Sequence, residues 1–179
     1  SWQEIQDAAA RHDRPCDFSA FVAYEYSSNP EMSKVHRNVI FRNTTVPALP
    51  VSSRTTPDAR GLWDTLAETC VDAGNGCDAL TIPHNPNLSN GRVFSLDYGG
   101  ARTAEDRLAY TRLRRRLEPL VEMFQIKGDS ECRNGLTGVL GPPDELCGFE
   151  KYRRPVDGDV PDCGDDVGAS AAPSKVASS

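Results

Sequence analysis

Residues 79–84, ALTIPH, form a short and largely apolar run that limits the folds open to this chain more than any other segment does. A strand that is apolar along its length, rather than at alternate positions, is typical of a strand buried on both faces. Helical patterns precede and follow this run, at residues 60–73 and 103–117. A strand placed between two helices predicts a sheet of parallel strands with helical layers.

The remaining segments extend this pattern. Apolar residues spaced three to four apart predict helices, and runs of aromatic and β-branched residues predict strands. The predicted order is helix, strand, strand, helix, strand, helix and strand, at residues 2–11, 17–28, 36–43, 60–73, 79–84, 103–117 and 118–127. We therefore expect one α/β domain over residues 1–154, with an irregular C-terminal region, and a disordered tail rich in Gly, Pro, Ser and Asp at 155–179.

The net charge of the chain limits the kinds of molecule that it is expected to bind. The chain has 26 acidic and 20 basic residues among 179, and its net charge is −6. A net acidic chain argues against nonspecific binding to nucleic acid or to an anionic membrane. No apolar run approaches the roughly 18 residues that a membrane-spanning helix requires. We expect a small-molecule substrate, with no nucleic acid partner and no membrane span.

Six cysteines suggest an oxidising compartment. This number is high for a cytosolic domain of 179 residues, and no CxxC pair is present to indicate a structural zinc site. The cysteines therefore favour a periplasmic or secreted location over a cytoplasmic one. Cys132 and Cys147 bracket a loop rich in Gly and Pro, and we expect a disulfide between them. Cys70 and Cys77 are a less favoured pair because a predicted helix end separates them.

Three residues in the predicted strands suit a metal site: Glu25, His36 and His84. His84 ends its strand beside an asparagine-rich loop, although a hydrogen-bonded structural histidine is the alternative there. Strand alternation separates Glu25 from Tyr24 and Tyr26, which makes it either a ligand or general base, or a solvated carboxylate. His36 is either a third ligand or an ordinary edge residue. One carboxylate and two imidazoles predict a divalent metal such as zinc, manganese or iron.

Polar residues near these candidates predict substrate contacts. The predicted substrate-binding side chains lie beside the two histidines and are Arg37, Asn85, Asn87 and Asn90. After the last predicted strand, Lys127 suits contact with a substrate anion and Asp129 suits proton transfer, with a capped turn as the alternative. Arg112, Arg114, Arg115 and Arg116 fall largely outside the apolar stripe of their helix, which predicts a solvated face.

Several motifs together resemble a known family. The segments AFVAYEYSS, HRNVIFRN, LWDTL, IPHNPNLSNGRVF, EPLVEMFQIKGDSEC and DELCGFE occur in this order over residues 2–154. In these segments the chain resembles the bacterial family called domain of unknown function 3604, which looks like a branch of the PHP (polymerase and histidinol phosphatase) metallohydrolases. Glu25 and His84 match the inward glutamate and the later strand-end histidine of that family, and His36 matches a further histidine.

This resemblance implies a fold and a reaction. It implies a distorted (β/α) barrel of parallel strands, with a metal cluster at their carboxyl ends that activates water, commonly to hydrolyse phosphate esters. The His-x-His, Asp-His and Asp-x-His motifs of PHP proteins are not in this chain. We therefore expect part of a barrel, with an incomplete site that is inactive in this segment. The alternative is a noncatalytic binding or structural module that keeps the fold without the metal.

Overall fold

A computed structural model describes residues 1–84, 86–89, 92–95 and 103–122. The helices are α1 (Trp2–His12), α2 (Ala59–Leu66) and α3 (Ala104–Leu117), and the strands are β1 (Ala23–Ser28), β2 (Val35–Phe41) and β3 (Ala79–His84). A π-helical turn, Ala67–Val71, extends α2, and the short 3-10 turns are Pro30–Met32, Pro86–Leu88 and Arg92–Phe94. The predicted helices and the first three predicted strands are confirmed, except that the first strand begins at Ala23 and not at residue 17.

The three strands form one open antiparallel sheet in the order β1, β2, β3. The predicted parallel strands are therefore wrong, and the described residues contain no (β/α) barrel. The connection between β2 and β3 explains the difference. Its first arm runs beside β1 as an extended loop, where the Val51 amide donates to the Tyr24 hydroxyl and the Ser28 hydroxyl donates to the Pro57 carbonyl. The helix then returns along the sheet.

The loop carries the chain along the sheet in one direction, and the helix that follows carries it back. The Arg42 amide donates to the Asp78 carbonyl at 3.0 Å, so the connection begins and ends at the same end of the sheet. A connection that crosses the sheet twice returns the next strand antiparallel, whereas the single crossover of a βαβ unit makes it parallel. The sequence predicted the helix at residues 60–73, which accounts for one crossing of the sheet. The loop before this helix makes the second crossing.

The core lies on one face of the sheet. Strand residues Tyr26, Val39 and Phe41 are buried there, and Trp63 of α2 and Leu117 of α3 pack against them. Burial alternates along β2 and β3, so β3 is not buried on both faces as expected. Within the described residues the helices cover one side of the sheet only, which gives the alternation typical of a half-exposed antiparallel sheet.

The helix ends follow from their capping residues. Thr103 and Asp106 form the predicted capping box of α3, with reciprocal side-chain to backbone hydrogen bonds at 3.0 and 3.2 Å. Asp58 caps α2 by accepting from the Gly61 amide at 2.8 Å. These bonds satisfy backbone amides that have no partner within the helix. No described helix is both long enough and apolar enough to cross a membrane.

Beyond α3, the described chain continues beside β3. The Glu122 amide donates to the Pro83 carbonyl at 3.1 Å, although residues 118–122 form no regular strand. The remainder of the predicted strand at 118–127 lies outside the described residues. So do the rest of the predicted domain, up to residue 154, and the tail at 155–179.

A disulfide joins Cys70 and Cys77, the pair that the sequence disfavoured. Their Cα atoms lie 4.8 Å apart because the chain turns back sharply after the π-helical turn. Gly74 and Gly76 make this turn with φ values of +69° and +82°, which side-chain-bearing residues rarely adopt. The helix end was expected to separate the two thiols, but the two glycines bring them together. The expected pair, Cys132 and Cys147, lies outside the described residues.

Candidate metal centre

Glu25, His36 and His84 meet on the sheet face opposite the core. His36 and His84 are directly paired across β2 and β3, and Glu25 on β1 is diagonal to His36 because its direct partner is Asn38. Side chains at such diagonal positions are within reach of one another when they are long. Three strands thus contribute one potential ligand each. The structure therefore brings together the three residues predicted as metal ligands.

The distances within this cluster are short. Glu25 Oε1 lies 3.1 Å from His36 Nδ1, and Glu25 Oε2 lies 3.7 Å from His84 Nε2. The two imidazole centroids are 5.8 Å apart. One potential ligand atom from each residue lies within 4.8 Å of the others. The side chains of His36 and His84 are 17% and 12% exposed and that of Glu25 is 44% exposed, so solvent reaches the cluster through the glutamate.

Neighbouring polar groups orient two of the three side chains. The Ser27 hydroxyl donates to Glu25 Oε1. His36 Nε2 lies 3.1 Å from Asn29 Oδ1, an oxygen that can only accept a hydrogen bond. If Nε2 carries the proton, it donates to Asn29 and the Nδ1 lone pair faces Glu25, whereas in the other neutral tautomer Nδ1 donates to Glu25.

The 3.1 Å separation of His36 Nδ1 and Glu25 Oε1 fits three arrangements: a neutral ring with its proton on Nδ1, a doubly protonated ring, or a metal ion bound by both atoms. The donor set fits the metal, since two histidines and a glutamate are known ligands of catalytic zinc, where a water completes the coordination. In a tetrahedral site, ligand atoms are about 3.4 Å apart if the bonds are about 2.1 Å long. The 3.1 and 3.7 Å distances bracket that value but involve different oxygens of Glu25, and atoms taken one from each residue lie up to 4.8 Å apart, so the side chains would have to draw closer around an ion.

Arg37 does not join this cluster, although the sequence placed it among the substrate contacts. It follows His36 on β2, so alternation turns it to the core face, where its side chain is 1% exposed. Its Nε donates to Glu118 Oε2 at 2.7 Å, and its Nη2 donates to the Val93 carbonyl at 3.2 Å. Contact between Arg37 and a substrate held at the metal cluster is therefore not supported.

The other predicted site residues are not placed by the structure. Asn85 and Asn90 lie outside the described residues, as do Lys127 and Asp129. Asn87 lies in the 3-10 turn Pro86–Leu88, and its side chain is likewise outside what is described. Their predicted roles in substrate binding and proton transfer stay predictions.

A buried ionic network on the core face was not predicted from the sequence. Glu118, which is 2% exposed, accepts from Arg37 and Trp63 through Oε2 and from Arg114 through Oε1. Arg114 was assigned to a solvated face. A signal was present in β2, because Arg37 alternates with Val35 and Val39 and so falls on the core face, where a charge requires a partner.

Together these features define an α+β domain with one helix-covered sheet face and one face that carries a candidate metal centre. The chain belongs to the family described as "Protein of unknown function (DUF3604)", whose family model matches residues 1–161. This match confirms the family that the sequence motifs indicated. No curated protein and no solved structure matches the chain.

Proposed function

We propose that this domain is a metal-dependent hydrolase whose metal is held by Glu25, His36 and His84. The observation that carries the proposal is the convergence of Glu25, His36 and His84, which lie on three neighbouring strands with one potential ligand atom each within 4.8 Å of the others. This donor set suits a divalent zinc, manganese or iron ion. When bound, such an ion supplies a water of lowered pKa that can attack an ester.

The residues of the chain have separate roles in this proposal. Glu25 and His84 would bind the metal directly, with Ser27 holding one oxygen of Glu25 in place. Asn29 would fix the tautomer and ring orientation of His36, as partners of metal-binding histidines do. Lys127 would hold the charge of the substrate and Asp129 would transfer a proton. A phosphoester is the proposed substrate, on the basis of the resemblance to PHP proteins.

The proposed site has three ligands, all from one chain, and this small number limits its affinity for the metal. Metal affinity depends on the number of ligands and on how firmly they are held. Glu25 is the least constrained of the three because nearly half of its side chain is exposed. We therefore expect weak, exchangeable metal binding and low or no turnover by this chain alone.

A noncatalytic module is the second candidate, and the 3.1 Å contact between His36 Nδ1 and Glu25 Oε1 supports it. A proton on Nδ1 makes this contact a hydrogen bond or, in a doubly protonated ring, an ion pair, and neither needs a metal. The cluster would then stabilise the exposed end of the sheet. Such partly exposed pairs contribute only about 0 to 1 kcal/mol, so this role would be modest.

Metal titration separates the two candidates. The chelator-treated chain should bind one zinc or manganese ion, measured by calorimetry, and His84→Ala should weaken binding by more than the roughly 10–100-fold typical of outer partners. Its free energy of unfolding without metal should change by less than about 1 kcal/mol. His12→Ala is the matched control, because His12 is the exposed third histidine at the end of α1.

The outcomes assign the function. Equal metal binding by the wild type, His84→Ala and His12→Ala would remove the metal centre from the proposal. Metal binding that is lost in His84→Ala and kept in His12→Ala would support the metal centre, and aryl phosphate hydrolysis with the same dependence would support the hydrolase. Because low or no turnover is expected from this chain alone, it is the absence of His84-dependent metal binding that would favour the noncatalytic module. Lowering the pH from about 7.5 to about 5.5 should also weaken metal binding through histidine. An imidazole, whose ordinary pKa is about 6.5, must lose its second proton to bind a metal.

A further inference from the structure

A cavity of about 240 Å³ opens on the core side of the sheet, on the opposite face from the candidate metal centre. Its lining includes four arginines from four different segments: Arg37 from β2, Arg60 from α2, Arg92 from a 3-10 turn and Arg114 from α3. Asp58 is the one carboxylate in the described lining, and it accepts the Gly61 amide at the start of α2. The described lining therefore carries four guanidinium groups and one carboxylate.

The buried part of this wall holds an excess of positive charge. Glu118 is the buried carboxylate that serves both Arg37 and Arg114, with Nε to oxygen distances of 2.7 and 3.1 Å. One carboxylate neutralises one guanidinium, so these two arginines and Glu118 carry a net charge of +1. A buried charge without a counterion is costly, which favours an anion nearby.

Arg37 has donor capacity that the described residues do not use. Its Nε and Nη2 are hydrogen-bonded to Glu118 and to the Val93 carbonyl, but the buried Nη1 has no partner within the described part of the chain. Most buried polar atoms in proteins are paired, and Arg37, whose Nη1 has no acceptor among the described residues, belongs to the cavity lining. An oxyanion supplies such an acceptor, and a guanidinium is well suited to bind it.

The two outer arginines add a rim that can admit an anion. Arg92 pairs with Glu31, and Arg60 lies 3.8 Å from Asp64 and stacks on the Tyr110 ring at 4.1 Å; both carboxylates are outside the cavity lining. Exposed ion pairs are weak and can exchange one partner for another. The remaining wall is mostly apolar and includes Trp63, Val35 and Val93, with Ser28 and Ser95 as polar members. The volume corresponds to roughly eight water molecules, which is enough for a small ring with one charged group.

From this geometry we infer that the cavity is a binding site for a small organic anion, with its oxyanion at the arginines and its apolar body against Trp63. The inference is independent of the metal centre, because strand alternation places the two on opposite faces of the sheet. It also assigns Arg37 a ligand-binding role other than the one at the metal cluster.

Calorimetric titration with phenylphosphonate tests the inference. This probe has an oxyanion on an apolar ring and has no ester bond to hydrolyse. The full chain, freed of metal beforehand, should bind it saturably at one site, with weaker binding of inorganic phosphate and weaker still of phenol. Arg92→Gln and Arg60→Gln should each reduce the affinity roughly tenfold or more, because each removes a charge-assisted contact.

Arg42→Gln is the matched control. Arg42 is also an exposed arginine with a carboxylate partner, Asp78, but it lies at the other end of the sheet and does not line the cavity. Unchanged affinity in this variant, with losses in the two rim variants, would establish the site. An equal loss in all three variants, or no saturable binding by the wild type, would overturn it. Urea unfolding of each variant verifies that the fold is retained.

Discussion

The two faces of the sheet use charged residues in opposite ways. On the core face, Glu118 is 2% exposed and is held by two arginines, an indole N–H and the Thr81 hydroxyl. On the other face, Glu25 is 44% exposed and has two histidines and one serine around it. The hydrogen-bonding capacity of Glu118 is filled by other residues of the domain, whereas Glu25 is open to an added ligand. Burial and partner type therefore separate a structural carboxylate from a candidate functional one.

Removing one carboxylate from each face gives the largest expected contrast. Glu118→Ala should lower the free energy of unfolding by about 3 to 5 kcal/mol, because it leaves Arg37 buried without its counterion. Glu25→Ala should lower it by less than about 1 kcal/mol, because its pairs are exposed. Urea unfolding measures both values, and similar losses for the two variants would contradict the contrast between the faces.

Loss of the disulfide should have a smaller effect on stability. The disulfide also lies on the core face. Cys70 and Cys77 are both buried in the core cluster. Replacing both by Ala should lower the free energy of unfolding by about 2.5 kcal/mol, since the bond closes a short loop and restricts the unfolded chain. Cys16→Ala is the control, because Cys16 is an exposed free thiol in the described chain. A loss of stability no larger than that of the control would argue against the bond.

Urea unfolding also tests the disulfide that the sequence favoured. If Cys132 and Cys147 also form a bond, their joint replacement should cost about 3 kcal/mol in the same chain-entropy model. A thiol count that matches five or six free cysteines in the wild type would exclude both bonds.

Alkaline pH should weaken the core face gradually. Burial, and then the nearby Asp58, raise the pKa of Tyr26 to about 12, and burial raises the pKa of Tyr24 further above its ordinary value. Because the unfolded chain loses these protons first, near pH 10, the free energy of unfolding should fall as the pH rises from about 10 to about 12. Each tyrosine contributes a slope of at most about 1.4 kcal/mol per pH unit.

The variants Tyr24→Phe and Tyr26→Phe test this slope. Both lose a hydrogen bond, so their stability at neutral pH will differ from that of the wild type. The slope above pH 10 is the informative quantity, and each variant should flatten it. Slopes equal to that of the wild type would show that neither hydroxyl is responsible.

Local patterns predicted the elements well, but not their arrangement. The helix over Trp2–His12 and the capping box at Thr103 follow from spacing and from side chains a few residues apart. The direction of β3 depends on where the loop after Phe41 travels, and that path is fixed by distant contacts such as the one between Ser28 and Pro57. No local period in the sequence encodes that path, and the helical pattern alone favoured a parallel strand.

The candidate site was predictable to the extent that strand alternation determines it. Alternation placed Glu25 away from Tyr24 and Tyr26, and residue chemistry favoured the two histidines. The role of Asn29, by contrast, depends on the turn between β1 and β2. The network around Glu118 joins residues 81 positions apart in the chain, and the sequence could not indicate which arginine would be buried with it.

The long connection before β3 also sets the order in which the domain can assemble. Only six residues link β1 to β2, whereas 37 residues link β2 to β3. Closing the longer segment costs about 1.6 kcal/mol more in chain entropy, so the first hairpin can form before the third strand docks. Glu25 and His36 belong to that hairpin, and His84 arrives with the last strand. The cluster is therefore complete only in the finished fold, and an ion that needs all three ligands cannot be captured by a half-assembled chain.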